Sequence, residues 1–238
     1  MKATTIVLVH GAFAESASWD PVVDLLVGAG HPVIAAANPL RSLDGDAACV
    51  ADVVRSIDGP VVLAAHSYGG AVISNVPLDA GDIVGLVYVC GFAPDAGETC
   101  FALAGKFPGS TLGEAVRPVP RSDGTTDLYI VQERFHAQFC ADAPAPLAQR
   151  MAVTQRPATQ EALVAPSGDH PLWRDVPSWF LIGQADRNIP AELQHFMADR
   201  AGARATVEIP GGSHALTVSQ PNAAADLIFK AAAAPVPA

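Results

Sequence analysis

Charged residues are scarce in this chain: Asp, Glu, Lys and Arg make up 16% of its 238 residues, while half are hydrophobic. A chain with a mean hydropathy of +0.28 has ample material for a buried core, which excludes intrinsic disorder. Positive charge is scarcer still. Fourteen Lys and Arg face 24 Asp and Glu, for a formal net charge of −10, and an acidic surface repels a phosphate backbone, so nucleic acid is not an expected partner. A run of about 18 apolar residues free of charges and breakers is also missing, so no membrane span is predicted. Met1-Lys2-Ala3 leads directly into Thr4–Val9 without the basic and apolar segments of a signal peptide, and a soluble, cytoplasmic protein is the expectation. The four cysteines (Cys49, Cys90, Cys100 and Cys140) lie 41, 10 and 40 positions apart. Neither a CxxC pair nor a zinc-ligand pair has those spacings, and all four are read as unpaired thiols outside the chemistry.

What is present is a rhythm. Apolar runs rich in Val and Ile at Thr4–His10, Pro32–Ala37, Pro60–His66 and Ile83–Cys90 alternate with helix-length stretches at Ala17–Ala29, Leu43–Ile57 and Tyr68–Ala80. That alternation predicts a parallel sheet with crossover helices, and the near-continuous apolar character of each run predicts strands covered on both faces. Ser42 is placed to cap the second helix, and Gly30 and Gly59 stand where helices should stop. After Cys90 the rhythm breaks. Residues 92–176 contain prolines, glycines and helix-like pieces around Leu128–Phe139, Ala145–Thr154 and Thr159–Val164, with no strand evident. Strands at Ser178–Ile182 and Thr206–Ile209 then resume, with helices near Ala191–Ala201 and Pro221–Ala232. The division expected is a core of residues 1–91 and 177–238 interrupted by a helical cap over 92–176. The alanine and proline tail, Ala231–Ala238, is expected to fray.

The most informative segment is Ala64-Ala65-His66-Ser67-Tyr68-Gly69-Gly70, where a strand ends, a helix begins and a serine stands at the joint. A sharp turn of this kind holds its serine in a strained backbone conformation, and it closes only if the residues two before and two after are small. Here these are Ala65 and Gly69. A serine hydroxyl needs a histidine base oriented by a carboxylate. Of seven histidines, His214 lies in the glycine-rich loop Gly211-Gly212-Ser213-His214 after the last strand, within reach of Ser67. His66 should point away from the hydroxyl by strand alternation. Asp186, just after the fifth strand, is the first choice of carboxylate, with Asp95 after the fourth strand as the alternative. An oxyanion would be held by the backbone N–H of Tyr68 and by one from the loop His10-Gly11-Ala12-Phe13, Ala12 first and Phe13 second.

At these residues the sequence resembles the α/β-hydrolases, in particular the small cap-bearing esterases. The blocks that carry the resemblance are His10-Gly11-Ala12-Phe13, Ala65-His66-Ser67-Tyr68-Gly69-Gly70, Asp186-Arg187-Asn188-Ile189-Pro190 and Gly212-Ser213-His214-Ala215. The resemblance covers essentially the whole chain apart from the tail, although Ala65 replaces the usual first glycine of the elbow. It implies a mainly parallel sheet of about six strands flanked by helices, and a serine triad working without metal or organic cofactor. Ser67 at the elbow disfavours the dehalogenases and epoxide hydrolases, which attack with aspartate. Ala215 stands where plant-type hydroxynitrile lyases carry a lysine.

The expected function is hydrolysis of a carboxylic ester of a small, apolar molecule through an acyl-enzyme. Phe13, Phe92, Phe135, Phe139 and Trp173 are candidates to line the pocket, although the cap aromatics among them suit plain packing equally. Carbon–carbon bond hydrolysis, lactone or thioester cleavage, and non-catalytic ligand binding on the same fold are the alternatives. The expected partner is a small-molecule ester, and assembly as a homodimer is left open.

Overall fold

The computed structural model describes residues 2–234. Its strands are β1 (Thr5–Val9), β2 (Val33–Ala36), β3 (Val61–His66), β4 (Ile83–Val89), β5 (Val116–Pro120), β6 (Thr126–Ile130), β7 (Ala158–Thr159), β8 (Ser178–Gly183) and β9 (Ala205–Ile209). Six of these form one sheet in the order β2-β1-β3-β4-β8-β9, every neighbouring pair parallel. β3, β4 and β8 are buried at every position, which is why they read as unbroken apolar runs rather than alternating ones.

The helices are α1 (Asp20–Gly28), α2 (Leu43–Arg55), α3 (Tyr68–Ser74), α4 (Cys100–Ala104), α5 (Leu112–Ala115), α6 (Gln132–Phe139), α7 (Ala145–Thr154), α8 (Gln160–Val164), α9 (Ala191–Arg200), α10 (Leu216–Ser219) and α11 (Pro221–Ala233). Strand alternation divides the core between two faces. Ile6 and Leu8 of β1 join Trp19, Val22 and Leu26 around α1 and Leu227 and Ile228 of α11, while Val7 and Val9 join Leu43, Val50 and Val54 of α2 and Leu193 and Met197 of α9. The second face continues upward into Ile130, Phe135, Phe139 and Ala148, so the segment between β4 and β8 shares a core with the sheet. Among the described residues no helix is long and apolar enough to cross a membrane.

Local signals explain the helix ends. Ser42 Oγ accepts the Gly45 N–H at 3.2 Å and caps α2. The helix expected over Tyr68–Ala80 stops at Ser74, because Pro77 cannot continue it, and a 3₁₀ turn follows at Leu78–Ala80. The first helix likewise begins as a 3₁₀ turn at Ser16–Trp19, with Pro21 in the opening turn of α1. α11 extends to Ala233, so the fraying expected from Ala231 does not begin there, and residues 235–238 of that tail lie outside the described residues.

The expectation of a wholly helical insertion is corrected. Between β4 and β8 the chain also forms a three-stranded antiparallel sheet, β5-β6-β7. β5 was hidden by its two prolines, Pro118 and Pro120, which remove ladder donors; an edge strand tolerates them because one side of its backbone is unpaired. The expected helix over Leu128–Phe139 therefore divides into the end of β6 and α6.

This small sheet is clasped to the core by Arg41, in the loop after β2. Its guanidinium pairs with Asp127 of β6 and donates to the Pro157 carbonyl, while Thr159 Oγ1 donates to the Arg41 carbonyl at 2.7 Å. Asp127 is buried, and removing its cation leaves a carboxylate with only Arg121 for company. Arg41→Met should lower the unfolding free energy by about 1–3 kcal/mol. Urea denaturation reads that loss, and an unchanged midpoint would contradict the clasp.

Candidate active site

The joint between β3 and α3 places Ser67 at φ 56°, ψ −125°, a left-handed conformation that a side chain adopts only under constraint. The constraint is visible in what surrounds it. Ser67 N–H donates to the Val89 carbonyl at 3.3 Å, and the Ser67 carbonyl accepts from Gly70 N–H at 2.9 Å and Phe92 N–H at 3.0 Å. Two glycines make the close approaches possible. A Cβ on Gly69 would lie 2.6 Å from the Val9 carbonyl oxygen, and one on Gly11 would lie 2.6 Å from Ser67 Cβ and 3.1 Å from Tyr68 N. The loop after β1 thus passes directly over the serine, beside the first N–H of α3.

Within that loop the hydrogen bonding separates the two candidate oxyanion donors. Phe13 N–H is taken by the Arg156 carbonyl at 2.9 Å. Ala12 N–H and Tyr68 N–H have no partner among the described residues, which leaves both available to a ligand. His10 sets the direction of the Ala12 donor. Its Nε2 accepts Asn38 N–H at 3.1 Å, which leaves the proton on Nδ1 to be donated to the Gly11 carbonyl at 3.0 Å. Because the Gly11–Ala12 peptide is planar, fixing that carbonyl fixes the N–H of Ala12 at its other end. Asn38 Nδ2 completes the arrangement by donating to the His10 carbonyl at 2.9 Å.

Asp186 and His214 are in direct contact. His214 Nδ1 donates to Asp186 Oδ2 at 2.7 Å, and both side chains are buried, 1% and 0% exposed. The carboxylate is satisfied on every side: Asn188 N–H at 2.7 Å and Ile189 N–H at 3.0 Å reach Oδ1, and Gln194 Nε2 reaches Oδ2 at 3.0 Å. His214 Nε2 is buried without a partner, and among the described residues no hydrogen bond joins it to Ser67 Oγ. Asp95, the alternative acid, instead pairs with Arg174 near the surface.

His66 was expected to point away from the hydroxyl, and it shares the strand face of Val62 and Ala64. At the end of β3, however, its ring meets that of His214 at 4.6 Å between centroids, and its Nε2 donates to the His214 carbonyl at 3.0 Å. The remaining histidines are held elsewhere: His31 by Phe229, His136 by the Ala143 carbonyl, His170 by Asp175 and His195 by Glu208.

A cavity of about 320 Å³ opens above Ser67, with Ala12 and Tyr68 beside it. Phe13 and Phe92 line it; Phe135, Phe139 and Trp173 do not, which corrects their expected place. Phe135 and Phe139 pack on each other at 4.9 Å, Phe139 lies edge to face with His214 at 5.0 Å, and Trp173 Nε1 donates to the Pro94 carbonyl at 2.8 Å. The walls come instead from Leu112, Val116, Leu128, Leu163 and Ile189, with the exposed Phe101 also bordering the space. Among the described residues no Asp, Glu, Lys, Arg or His lines the cavity, so they offer nothing to balance a charged ligand. Tyr68 keeps its hydroxyl out of the reaction space by donating to the buried Asp46 at 2.8 Å, and burial together with that carboxylate raises its pKa far above the ordinary value.

The sequence pattern of the alpha/beta hydrolase family matches residues 6–227, and the chain belongs to that family. A pyrethroid hydrolase from Sphingobium wenxiniae is 28% identical over 99% of this chain and 90% of its own length. Among solved structures, a pyrethroid hydrolase from Sphingobium faniae superposes with a TM-score of 0.79 at 24% identity, covering 98% of this chain and 99% of that one. Polyneuridine aldehyde esterase superposes with a TM-score of 0.82 at 19% identity, covering 96% and 99%.

Two imidazoles beside the site are neutral. Burial lowers the His10 pKa from 6.5 to about 4, against the hydrogen bond to Gly11 that raises it, and burial drives that of His66 well below 6.5. Below pH 6.5 these two groups therefore take up protons more readily in the unfolded chain, and their contribution to stability is lost as pH falls from about 6.5 toward 4. His10→Asn should make the fall in unfolding free energy across that window shallower than in the wild type, as read by chemical denaturation at stepped pH. Parallel curves would contradict the neutral, buried imidazole.

Proposed function

We propose that the protein hydrolyses carboxylic esters of uncharged, apolar molecules through an acyl-enzyme formed on Ser67. The observation that carries this reading is the buried His214–Asp186 pair, whose imidazole has one unused nitrogen and packs on His66, the residue before a left-handed serine that has the free N–H groups of Ala12 and Tyr68 beside it. The hydrolase and esterase names of the relatives agree with it.

In this mechanism Ser67 Oγ attacks the ester carbonyl while His214 Nε2 removes its proton. The imidazolium is stabilised by Asp186, whose carboxylate is held in place by four hydrogen-bond donors. The N–H groups of Ala12 and Tyr68 donate to the oxyanion, each worth about 3–4 kcal/mol of barrier in a preorganised site. His214 then returns the proton to the leaving alcohol, and a water activated by the same nitrogen releases the acid. The segment 92–176 acts as a cap, closing the apolar cavity and keeping bulk water from the acyl-enzyme. The Ser67–His214 hydrogen bond forms when substrate occupies the cavity, as catalytic contacts commonly tighten on binding.

On p-nitrophenyl butyrate, Ser67→Ala should lower kcat by about 10⁴-fold or more. Asp186→Asn should cost about 10⁴-fold by reversing the imidazole tautomer, whereas Asp95→Asn should leave kcat near the wild-type value. Retained turnover in Ser67→Ala would overturn the mechanism, and a large loss confined to Asp95→Asn would move the acid to the end of β4.

A further inference from the structure

A second cavity, of about 350 Å³, lies on the other side of the loop that follows β1. It is bounded by residues of that loop, by the start of α1, by α7 and by Val218, and among the described residues Phe13 is the one that borders both this space and the cavity over Ser67. One aromatic residue therefore stands between two spaces of similar volume. On the far side Leu147, Met151 and Val218 offer apolar surface beside the polar Ser18, Thr154 and Gln155, while the charged residues Glu15, Asp20 and Arg150 retain contact with solvent.

Phe13 is 3% exposed and has φ 61°, and its N–H is fixed to the Arg156 carbonyl at 2.9 Å. A backbone held in this way cannot swing with the ring, so motion at Phe13 is a change of side-chain rotamer that leaves the neighbouring Ala12 N–H undisturbed. An ester bound with its carbonyl at Ser67 has two arms leaving the same carbon in different directions. The cavity over Ser67 suits one apolar arm. Phe13 separates that cavity from the second space.

We propose that this second cavity is a substrate subsite for the other arm of the ester, that rotation of the Phe13 ring opens it, and that Phe13 thereby sets the upper size of substrate. The class of substrate implied carries bulky groups on both sides of the ester carbonyl, the one over Ser67 apolar and the other able to meet a mixed lining. This inference rests on the ester-hydrolase reading of Ser67.

The test compares kcat/KM for p-nitrophenyl butyrate and for a naphthyl ester of an aryl-branched acid, using wild type, Phe13→Ala, Phe13→Leu, Met151→Trp and the Phe13→Ala/Met151→Trp double variant. Phe13→Ala should raise the ratio of bulky to small ester by about tenfold, Phe13→Leu should move it in the same direction, and Met151→Trp should cancel the gain by filling the space behind. Phe13→Leu reads the ratio if the larger truncation fails to fold. A ratio unchanged in the Phe13 variants, or a gain that survives Met151→Trp, would overturn the subsite while leaving the hydrolase reading intact. A wild type that turns over neither ester would overturn the hydrolase reading, and the subsite with it.

Discussion

Everything at the site depends on one residue holding a backbone conformation it would not choose. Ser67 at φ 56° and ψ −125° carries a strain of about 1–3 kcal/mol, which only surrounding structure can maintain. That structure is a strand buried throughout, a helix beginning at the next residue, and three backbone hydrogen bonds through the Ser67 N–H and carbonyl. The gain is positional. The turn lifts the hydroxyl off the sheet, frees the first N–H of α3 and brings it beside the loop after β1, an approach that the missing side chains of Gly11 and Gly69 allow.

The polar groups around this turn have been taken out of water, and each buried side chain that holds the site together makes at least one hydrogen bond. His10 is neutral and joins Asn38 to Gly11; Asp186 accepts four hydrogen bonds; His66 holds the carbonyl of His214. Buried polar groups normally find partners, so the exceptions are informative. Around the site the unpartnered groups are Asn38 Oδ1, His66 Nδ1, Asn188 Nδ2, His214 Nε2 and the N–H groups of Ala12 and Tyr68. In the proposed mechanism the last three partner the reacting atoms. Phe139 and the contact between Ser213 and Asp142 tie the loop of His214 to the segment between β4 and β8, so this imidazole and most of the cavity walls are held by the same part of the chain.

The sheet was legible in the sequence because parallel strands buried on both faces leave uninterrupted Val and Ile runs, and the elbow because a serine between a strand and a helix requires small neighbours such as Gly69. The pairing of Asp186 with His214 followed from both lying just beyond strand ends on one edge of the sheet. The segment 92–176 was less legible for two reasons. Pro118 and Pro120 in β5 carry the local signature of a loop, and only the edge position of that strand makes them acceptable. The aromatic residues Phe135, Phe139 and Trp173 looked like pocket walls because sequence shows hydrophobicity but not direction, and the structure turns them into packing. Gln194 could not be anticipated, since it reaches Asp186 from a helix eight residues on, whereas the N–H groups of Asn188 and Ile189 follow the local turn chemistry of Asp-x-Asn.

The central claim is that the strained turn makes Ser67 the nucleophile. It is tested most directly by treating the folded protein with a fluorophosphonate and locating the adduct by intact-mass and peptide mass spectrometry. One phosphonyl group per chain, on the peptide containing Ser67 and absent after denaturation in urea before treatment, is the result expected. A native protein that stays unmodified while still cleaving esters, or one labelled on a different residue, would contradict the account.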